Sequence, residues 1–355
     1  MTADATALRH PPTGAATTVE LPAVGTAWLL TRYRDVYTAL GDPRLRVRAP
    51  EPPGRPRLGP VCAGSATGLA TDPAERLRIR RWAESEFSQD RAESLRPAIQ
   101  RLADQVLEDA DAEPPDRLAD TFAAALAGYT LCRLVGVPPA DYGYVCALAE
   151  GWLVSAGPDA DAEEADATGE LLYGYLAELL ETRLSRPADD LLSNLAATRR
   201  PTGRSWETEL VTLALIVFTA GYQLSRTTIG HAVATLLDHP EQGALLRRSP
   251  DLLRYAVEEL LRWQPAAPGG ELMLVAGLDL DVGGVSVREG DTVLASIAAA
   301  NRDPAVFTDG HRLDVTRRYN PHLTFGLGAH QCLGADLARV ELSVAVQTIV
   351  WRLAP

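Results

Sequence analysis

The stretch PHLTFGLGAHQCLGADLARVEL, residues 321–342, contains the most distinctive pattern in the chain. Gly326 and Gly328 permit a tightly turned loop, and Cys332 follows it. From Gly334 onward, apolar residues recur with helical spacing, which predicts a helix that begins just after the cysteine. The helix dipole and the free N–H groups at such an N-terminus favour a thiolate, a strong ligand for iron. We therefore expect Cys332 to be a metal ligand; the alternative is an ordinary buried cysteine.

The composition favours one folded domain over residues 1–355. The chain has 46% hydrophobic residues and a formal net charge of -13, and all 34 basic residues are arginines. Such an acidic chain is unlike a nucleic-acid binder with a basic surface. We find no charged leader and no apolar run of membrane-spanning length, so we expect a cytoplasmic protein that does not bind membranes. Cys62, Cys132 and Cys146 form no CxxC pair, which argues against a disulfide framework or a zinc site.

Helical patterns fill most of the chain. From Asp72 to about Leu261, helical segments follow one another with short breaks at turn-forming residues. Strand-like alternation is confined to the N-terminal TAWLL and to residues 271–298, where GG and EGD predict hairpins. The Pro- and Gly-rich residues 48–70 predict an irregular loop, and such loops often line binding sites. We expect a mainly α protein with a small β-rich region.

The segment FGLGAHQCLG matches the pattern F-x-x-G-x-H-x-C-x-G at every defined position, so the chain resembles the bacterial, soluble cytochromes P450. The resemblance implies the cytochrome P450 fold, a triangular α+β prism, and heme b (iron protoporphyrin IX) as cofactor. It implies that Cys332 is the iron ligand, that Phe325 packs beside the sulfur, and that His330 binds a haem propionate. Gly326 and Gly334 belong to the same cofactor-binding loop. Thiolate donation to the iron favours O–O cleavage.

A second match lies in SPDLLRYAVEELLRWQP, residues 249–265, whose apolar residues form one buried helical stripe. Glu259 and Arg262 are three residues apart and therefore share a face of this helix. Alone, such a pair is usually a surface ion pair of little energetic weight. The resemblance implies instead a structural pair, completed by an arginine that Arg312 of GHRLDV would supply. These three residues are expected to be structural, not catalytic.

A third match is DPAERLRIRRWAESEF, residues 72–87. It resembles the family segment that supplies a histidine and then an arginine to the haem propionates. Arg76 stands at the histidine position and Arg80 at the arginine position. Because arginine binds carboxylates in bidentate geometry, we assign both to the propionates, although Arg76 could simply face solvent. Leu274 stands where a third propionate arginine is usual, so that contact is expected to be lost.

The segment ELVTLALIVFTAGYQLSRTTIGHAVATLLDHP, residues 209–240, departs from the family pattern. It resembles the central helix that crosses the haem and carries A-G-x-[DE]-T-T for oxygen activation. The match begins at Ala220 and Gly221, which are assigned to cofactor binding. Gln223 and Leu224 then stand where the family has an acid and an alcohol that relay protons, and neither residue type can carry a proton in that way.

Several substitutes for this relay stay open. A bulge in the helix would bring Thr227 and Thr228 into register. Ser225, ordered water or the substrate itself could also relay protons. In each case we expect Tyr222, Gln223 and Leu224 to line the distal side of the haem.

Both ends look short beside the family. No first helix is apparent before Gly25, and the chain stops at VWRLAP, where relatives continue into a hairpin that closes the substrate pocket. Unless the termini were trimmed, an open pocket is expected, which would suit a bulky peptide or carrier-bound substrate.

The resemblance implies a haem-thiolate oxidoreductase that oxidises a specialised metabolite, such as an antibiotic precursor, by hydroxylation or oxidative coupling. A ferredoxin-type donor would dock near Cys332. The altered central helix leaves a second possibility, a haem enzyme that uses peroxide or does not activate oxygen. A third is a non-catalytic helper subunit of a glycosyltransferase, although such relatives typically lack the cysteine that this chain keeps.

Overall fold

The computed structural model describes residues 16–21, 24–47, 73–109, 115–154, 162–198, 205–266, 270–328 and 331–352. The helices are α1 (Tyr33–Gly41), α2 (Pro73–Ala83), α3 (Gln89–Asp109), α4 (Pro115–Val135), α5 (Tyr142–Val154), α6 (Ala162–Ser185), α7 (Leu191–Ala197), α8 (Trp206–Asp238), α9 (Pro240–Arg248), α10 (Leu253–Trp263), α11 (Ile297–Ala300) and α12 (Ala335–Arg352). The strands are β1 (Thr17–Leu21), β2 (Gly25–Leu30), β3 (Leu45–Val47), β4 (Glu271–Ala276), β5 (Leu280–Val282), β6 (Val285–Val287) and β7 (Thr292–Ser296).

Helix boundaries follow local sequence signals. Gly136 ends α4 with a φ of 105°, a conformation that glycine adopts without strain. Its N–H donates to the carbonyl of Cys132 at 3.0 Å. Asp190 caps α7, because its carboxylate accepts a hydrogen bond from the N–H of Ser193 at 2.8 Å. These signals produce the predicted succession of helices with short breaks.

The chain forms two compact units. The sheet unit contains residues 1–50, 231–332 and 350–355, and the helical unit contains residues 51–230 and 333–349. That residues 1–355 act as a single domain stays a prediction. Residues 1–15 and 353–355, at the ends predicted to be short, lie outside the described residues.

The sheet unit holds the β structure. Five strands pair in the order β1-β2-β7-β4-β3, with β2 and β7 parallel and the other neighbours antiparallel. β5 and β6 form a separate hairpin, and Gly283 and Gly284 turn it with positive φ values, as the GG pair predicts. Apolar side chains of α1 and of these strands form one core, which includes Leu30, Val36 and Val293.

The helical unit contains α2 to α7 and most of α8 and α12. Its core is apolar, with Phe122, Leu126, Leu172 and Phe218 fully buried. Burial of these side chains on one face of each helix provides the main stabilisation of such a unit.

The long helix α8 is continuous over 33 residues and is α-helical throughout. The bulge that would bring Thr227 and Thr228 into register is therefore absent, and that alternative is wrong. Within the described ranges, α8 is the one helix long and apolar enough to cross a membrane, and 56% of its apolar window is buried inside the protein. The buried central helix of a folded protein can be equally long and apolar.

Candidate active site

The loop before α12 is tightly turned and ends at Cys332. Gly326 and Gly328 have φ values of 66° and 59°, which only glycine adopts readily. The N–H of Cys332 donates to the carbonyl of Phe325 at 2.7 Å and closes the loop. Cys332 is exposed, and two residues separate it from α12. The cysteine therefore lies just before a helix N-terminus, as predicted.

The backbone beside this cysteine is open to close approach. A side chain added at Gly328 or Gly334 would meet no atom within 4 Å. The carbonyl of Gly334 accepts from the N–H of Ala338 at 2.9 Å, which forms the first turn of α12. An exposed soft thiol beside open glycine backbone fits a flat, iron-bearing cofactor.

Buried polar side chains of the sheet unit fix the segment that leads into the cysteine loop. Asn301 is fully buried, and its Oδ1 accepts from the N–H of Leu323 at 2.8 Å. Its Nδ2 donates to Oγ1 of Thr324 at 3.0 Å, and that hydroxyl donates to the carbonyl of Leu261 at 2.8 Å. Neither Asn301 nor Thr324 is among the residues predicted from the sequence. The only sequence signal for Asn301 is a lone amide directly after the apolar run of β7 and α11.

Glu259 and Arg262 of α10 form a fully buried ion pair. Nε and Nη2 of Arg262 each lie 2.8 Å from one carboxylate oxygen, so the contact is bidentate. Nη1 of Arg262 donates to the carbonyls of Asn301 at 2.8 Å and Gly310 at 2.7 Å. The pair thus links α10 to two segments that precede the cysteine loop.

The third arginine of this network is Arg317, so the prediction of Arg312 is wrong. Nε of Arg317 lies 3.1 Å from Oε2 of Glu259. Arg312 is exposed and contributes only its backbone carbonyl, 3.3 Å from Nη2 of Arg262. A turn at Asp309, which has a φ of 51°, precedes Arg312 and accepts its N–H at 2.8 Å. The turn presents the Arg312 backbone, not its side chain, to the network.

Residues 220–224 of α8, in the segment that resembles the oxygen-activation site, lie on two faces of the helix. Tyr222 is only 2% exposed, and burial raises the pKa of its phenol to about 12. The helix turns Tyr222 towards the core, on a different face from Gln223 and Leu224. That all three residues line the distal side of the haem stays a prediction. Gly221 also faces inward, against a leucine of α4. Three exposed residues form the other face: Ala220, Gln223 and Leu224.

Ser225 of α8 lies near Glu341 of α12, and both residues belong to the helical unit. Glu341 is 2% exposed, and burial raises the pKa of its carboxyl to about 8, while the nearby hydroxyls of Ser225 and Thr130 lower it in part. Glu341 is not among the residues predicted from the sequence. The sequence feature that could have pointed to Glu341 is that it is the only acid in the apolar run of residues 337–352.

The three predicted propionate ligands, Arg76, Arg80 and His330, stay predictions. Arg80 lies in the last turn of α2 and is partly exposed. The backbone of Arg76 lies in the same helix, but its side chain and His330 are outside the described residues, as is the whole predicted loop 48–70. Leu274, where a third arginine is usual, is fully buried in the core of the sheet unit.

Residues 163–353, more than half of the chain, match the family model of cytochrome P450. The chain is also 41% identical over 334 residues to mycinamicin IV hydroxylase/epoxidase of Micromonospora griseorubida, which covers 92% of this chain and 82% of that protein. The chain belongs to the cytochrome P450 family. This cytochrome P450 is 37% identical over 336 residues to nocardicin C N-oxygenase of Nocardia uniformis subsp. tsuyamanensis, covering 94% of this chain and 84% of that protein.

Solved structures of P450s resemble the chain along nearly its whole length. A mixed-function P450 variant in complex with mycinamicin IV has a TM-score of 0.83 at 37% identity, covering 96% of this chain and 86% of that one. P450BioI in complex with an acyl carrier protein bearing hexadec-9Z-enoic acid has a TM-score of 0.84 at 28% identity, covering 98% and 92%.

These findings confirm the predicted family, fold, enzyme class and cofactor. The protein is a P450-type monooxygenase of bacterial secondary metabolism, an oxidoreductase with heme b as its cofactor. Like its family, it acts on small-molecule substrates with the help of a redox partner. The helper-subunit alternative finds no support among these relatives, which are named as hydroxylases and oxygenases.

Proposed function

We propose that this cytochrome P450 hydroxylates a bulky specialised metabolite at a haem held by Cys332, with electrons from a ferredoxin-type donor that docks near that cysteine. The observation that carries the proposal is the cysteine loop. It presents an exposed thiol just before α12, behind two glycines with positive φ and beside open backbone at Gly328 and Gly334. A ferredoxin-type donor is a cytoplasmic protein, which supports a cytoplasmic location.

Each cofactor-binding residue has a distinct role in this proposal. Cys332 supplies the thiolate, and Phe325, whose carbonyl already holds the Cys332 N–H, packs beside the sulfur. Gly326 and Gly334 shape the loop, while Ala220 and Gly221 belong to the cofactor-binding set from α8. The arginines of α2 and His330 bind the propionates. Bound haem supplies oxygen activation, which a thiolate ligand favours by donating electron density to the iron.

The exposed face of α8 supports a largely apolar substrate. Ala220 and Leu224 are apolar, and Gln223 adds one amide that can donate and accept a hydrogen bond. Pockets for bulky organic ligands combine apolar lining with a few polar groups in this way. Relatives named for mycinamicin IV and nocardicin C support a specialised metabolite, and their names describe oxygenation, which favours hydroxylation over oxidative coupling.

A carrier-bound substrate is the second candidate. P450BioI was solved with an acyl carrier protein that bears a fatty acid, and this chain shares its fold over 98% of its length. The two substrate types are tested together by turnover under isotopically labelled dioxygen, with a surrogate ferredoxin and reductase.

The probes are mycinamicin IV and hexadec-9Z-enoic acid attached to acyl carrier protein. We expect one labelled oxygen atom in the product of the preferred probe, and no product from the Cys332→Ala variant. A coupled product without labelled oxygen would contradict hydroxylation, and label entering from water instead of dioxygen would contradict the monooxygenase reaction.

Peroxide use is a second candidate for the oxidant, because Gln223 and Leu224 provide neither an acid nor an alcohol. Hydrogen peroxide would then support turnover without ferredoxin at least as well as the complete electron-transfer system. We expect the complete system to be faster.

A further inference from the structure

Helices α4 and α5 meet at a point to which each contributes one cysteine. The rings of Tyr129 in α4 and Tyr142 in α5 lie 5.3 Å apart there. Cys132 follows Tyr129 by three residues, and Cys146 follows Tyr142 by four. Because residues three or four apart share a face of a helix, each cysteine lies on the face by which its helix meets the other. Both cysteines are free thiols.

The thiol of Cys146 lies against the backbone of α4 at Gly128. A side chain added at Gly128 would come within 2.4 Å of Sγ of Cys146 and 3.2 Å of Cε2 of Tyr222 in α8. Cys132 stands four residues after Gly128 on the same face of α4, and helical side chains lean towards the N-terminus of their helix. The Cys132 thiol therefore points to the space that Gly128 leaves free, and Cys146 reaches the same space from α5.

The two thiols differ in their access to solvent. Cys132 is fully buried, whereas Cys146 is partly exposed. The neighbouring thiol of Cys146, together with burial, raises the pKa of Cys132, so Cys132 keeps its proton at neutral pH. An accessible thiol beside a second cysteine that can resolve its oxidised form is the arrangement found in redox-sensing cysteines.

We propose that Cys132 and Cys146 form a redox-sensitive dithiol, a modification site that hydrogen peroxide converts into a disulfide joining α4 to α5. Disulfides of cytoplasmic proteins are usually transient and redox-sensing. Hydrogen peroxide is the two-electron reduction product of dioxygen, the cosubstrate of the proposed reaction. The dithiol lies in the helical unit and involves neither Cys332 nor the substrate, so the proposal goes beyond the monooxygenase function.

Oxidation removes two electrons and two protons from the dithiol. Sγ of Cys146 attacks one oxygen of hydrogen peroxide, the O–O bond breaks, and the leaving hydroxide takes up the thiol proton to give water. Cys146 is then a sulfenic acid. Sγ of Cys132 attacks its sulfur, so that the S–S bond forms, the S–O bond breaks, and hydroxide leaves as water with the proton of Cys132. A reducing dithiol reverses the change by thiol–disulfide exchange.

The disulfide would fasten α5 to α4 beside the central helix α8. Glu150, four residues after Cys146, lies 2.7 Å from Arg226 of α8, which also lies 3.0 Å from Asp120 of α4. Ion pairs as exposed as these stabilise a protein little. A disulfide restricts the unfolded chain, so the oxidised protein should unfold at a higher temperature than the reduced one.

Peptide mass spectrometry of the haem-loaded protein tests the bond directly. Cleavage after arginine separates residues 118–133, which contain Cys132, from residues 134–183, which contain Cys146. After treatment with hydrogen peroxide we expect these two peptides to be joined, with a mass lower by two hydrogen atoms, and dithiothreitol should separate them. Peptides that stay separate, or that are joined to the peptide of Cys62 or Cys332 instead, would overturn the proposal.

Single variants separate the roles of the two cysteines. In Cys132→Ala, peroxide should leave Cys146 as a sulfenic acid, and dimedone should trap several-fold more of it than in the parent, where Cys132 consumes it. In Cys146→Ala, the buried Cys132 should stay reduced. Oxidation of Cys132 that is as fast in Cys146→Ala as in the parent would overturn the proposal.

Two glycines provide a matched test that keeps both thiols. Gly128→Ala would displace Sγ of Cys146, and a disulfide tolerates little displacement of its sulfur atoms, so the bond should form about tenfold more slowly or worse. Gly143→Ala adds the same methyl group on α5, where it meets no atom within 4 Å, and should leave the rate unchanged. Equal rates in the two variants would overturn the proposal.

An arsenical measures the closeness of the thiols without oxidation. Phenylarsine oxide binds two adjacent thiols at once, so the reduced parent should take up one molecule at Cys132 and Cys146. Neither single cysteine variant should retain it after washing. A parent that binds no arsenical at these two cysteines would overturn the proposal, and this measurement needs no variant to fold.

Discussion

Two buried carboxylates, Glu259 in α10 and Glu341 in α12, have opposite surroundings. Glu259 accepts hydrogen bonds from the guanidinium groups of Arg262 and Arg317, and also from Nδ2 of Asn320 at 3.0 Å and the N–H of Asp314 at 2.9 Å. Among the described residues, the groups that act on the Glu341 carboxyl are the hydroxyls of Ser225 and Thr130, and neither is a cation. A fully paired carboxylate holds chain segments together, whereas a buried carboxyl group without a counter-charge keeps its proton.

The largest effect is expected from removing the charge of Glu259. Glu259→Gln leaves Arg262 fully buried without its counter-charge, which should cost about 3–5 kcal/mol of unfolding free energy. Denaturant unfolding of Glu259→Gln and of the parent protein measures this loss. Glu258→Gln is the matched control, because that carboxylate is 29% exposed and lies 3.1 Å from His322. The control should lose about 1 kcal/mol or less. Equal losses in the two variants would contradict the structural role of the pair.

The second effect is a pH dependence of stability from Glu341. Its pKa is raised from 4.5 to about 8, so between these values the folded state binds more protons than the unfolded state. Stability should therefore fall as the pH rises through this window, by on the order of 3 kcal/mol from this residue. In Glu341→Gln, stability should therefore fall less between pH 5 and pH 8 than in the parent protein. Unfolding curves of both proteins at these two pH values measure the difference. Parallel pH profiles would contradict a neutral, buried Glu341.

A third comparison separates the two candidate arginines. Arg317→Met removes the hydrogen bond to Glu259 and one to the carbonyl of Thr308 at 2.9 Å, which should cost about 2 kcal/mol. Arg312→Met should stay within about 0.5 kcal/mol, because only its backbone joins the network. Thermal unfolding of the two variants measures both losses of stability. A larger loss in Arg312→Met than in Arg317→Met would show that the side chain of Arg312 belongs to the network.

The smallest effect is expected at Thr130. Its buried hydroxyl has no hydrogen bond of good geometry, so Thr130→Val should change the unfolding free energy by less than about 1 kcal/mol. The same change should raise the pKa of Glu341, because the hydroxyl lowers it. The infrared carbonyl band of the protonated Glu341 carboxyl measures that pKa. A large loss of stability would instead mean that Thr130 is well paired.

What the sequence could predict depends on how local the cause is. The cysteine loop and the start of α12 follow from glycines and a helical pattern within one short segment, so they are found correctly. The choice of Arg317 over Arg312 depends on a backbone turn at Asp309, which spacing does not reveal. The orientation of Tyr222 depends on which side of α8 the neighbouring helices cover. The same holds for Glu341, because its neighbours Ser225 and Thr130 come from distant parts of the chain.

The most direct test of the haem-thiolate assignment is the absorption spectrum of the reduced protein under carbon monoxide. The parent should show the red-shifted band after which the cytochromes P450 are named. Cys146→Ala, which removes a partly buried thiol on α5, should keep the band, and Cys332→Ala should lose it. A band that survives in Cys332→Ala, or a folded parent that takes up no haem, would contradict the assignment.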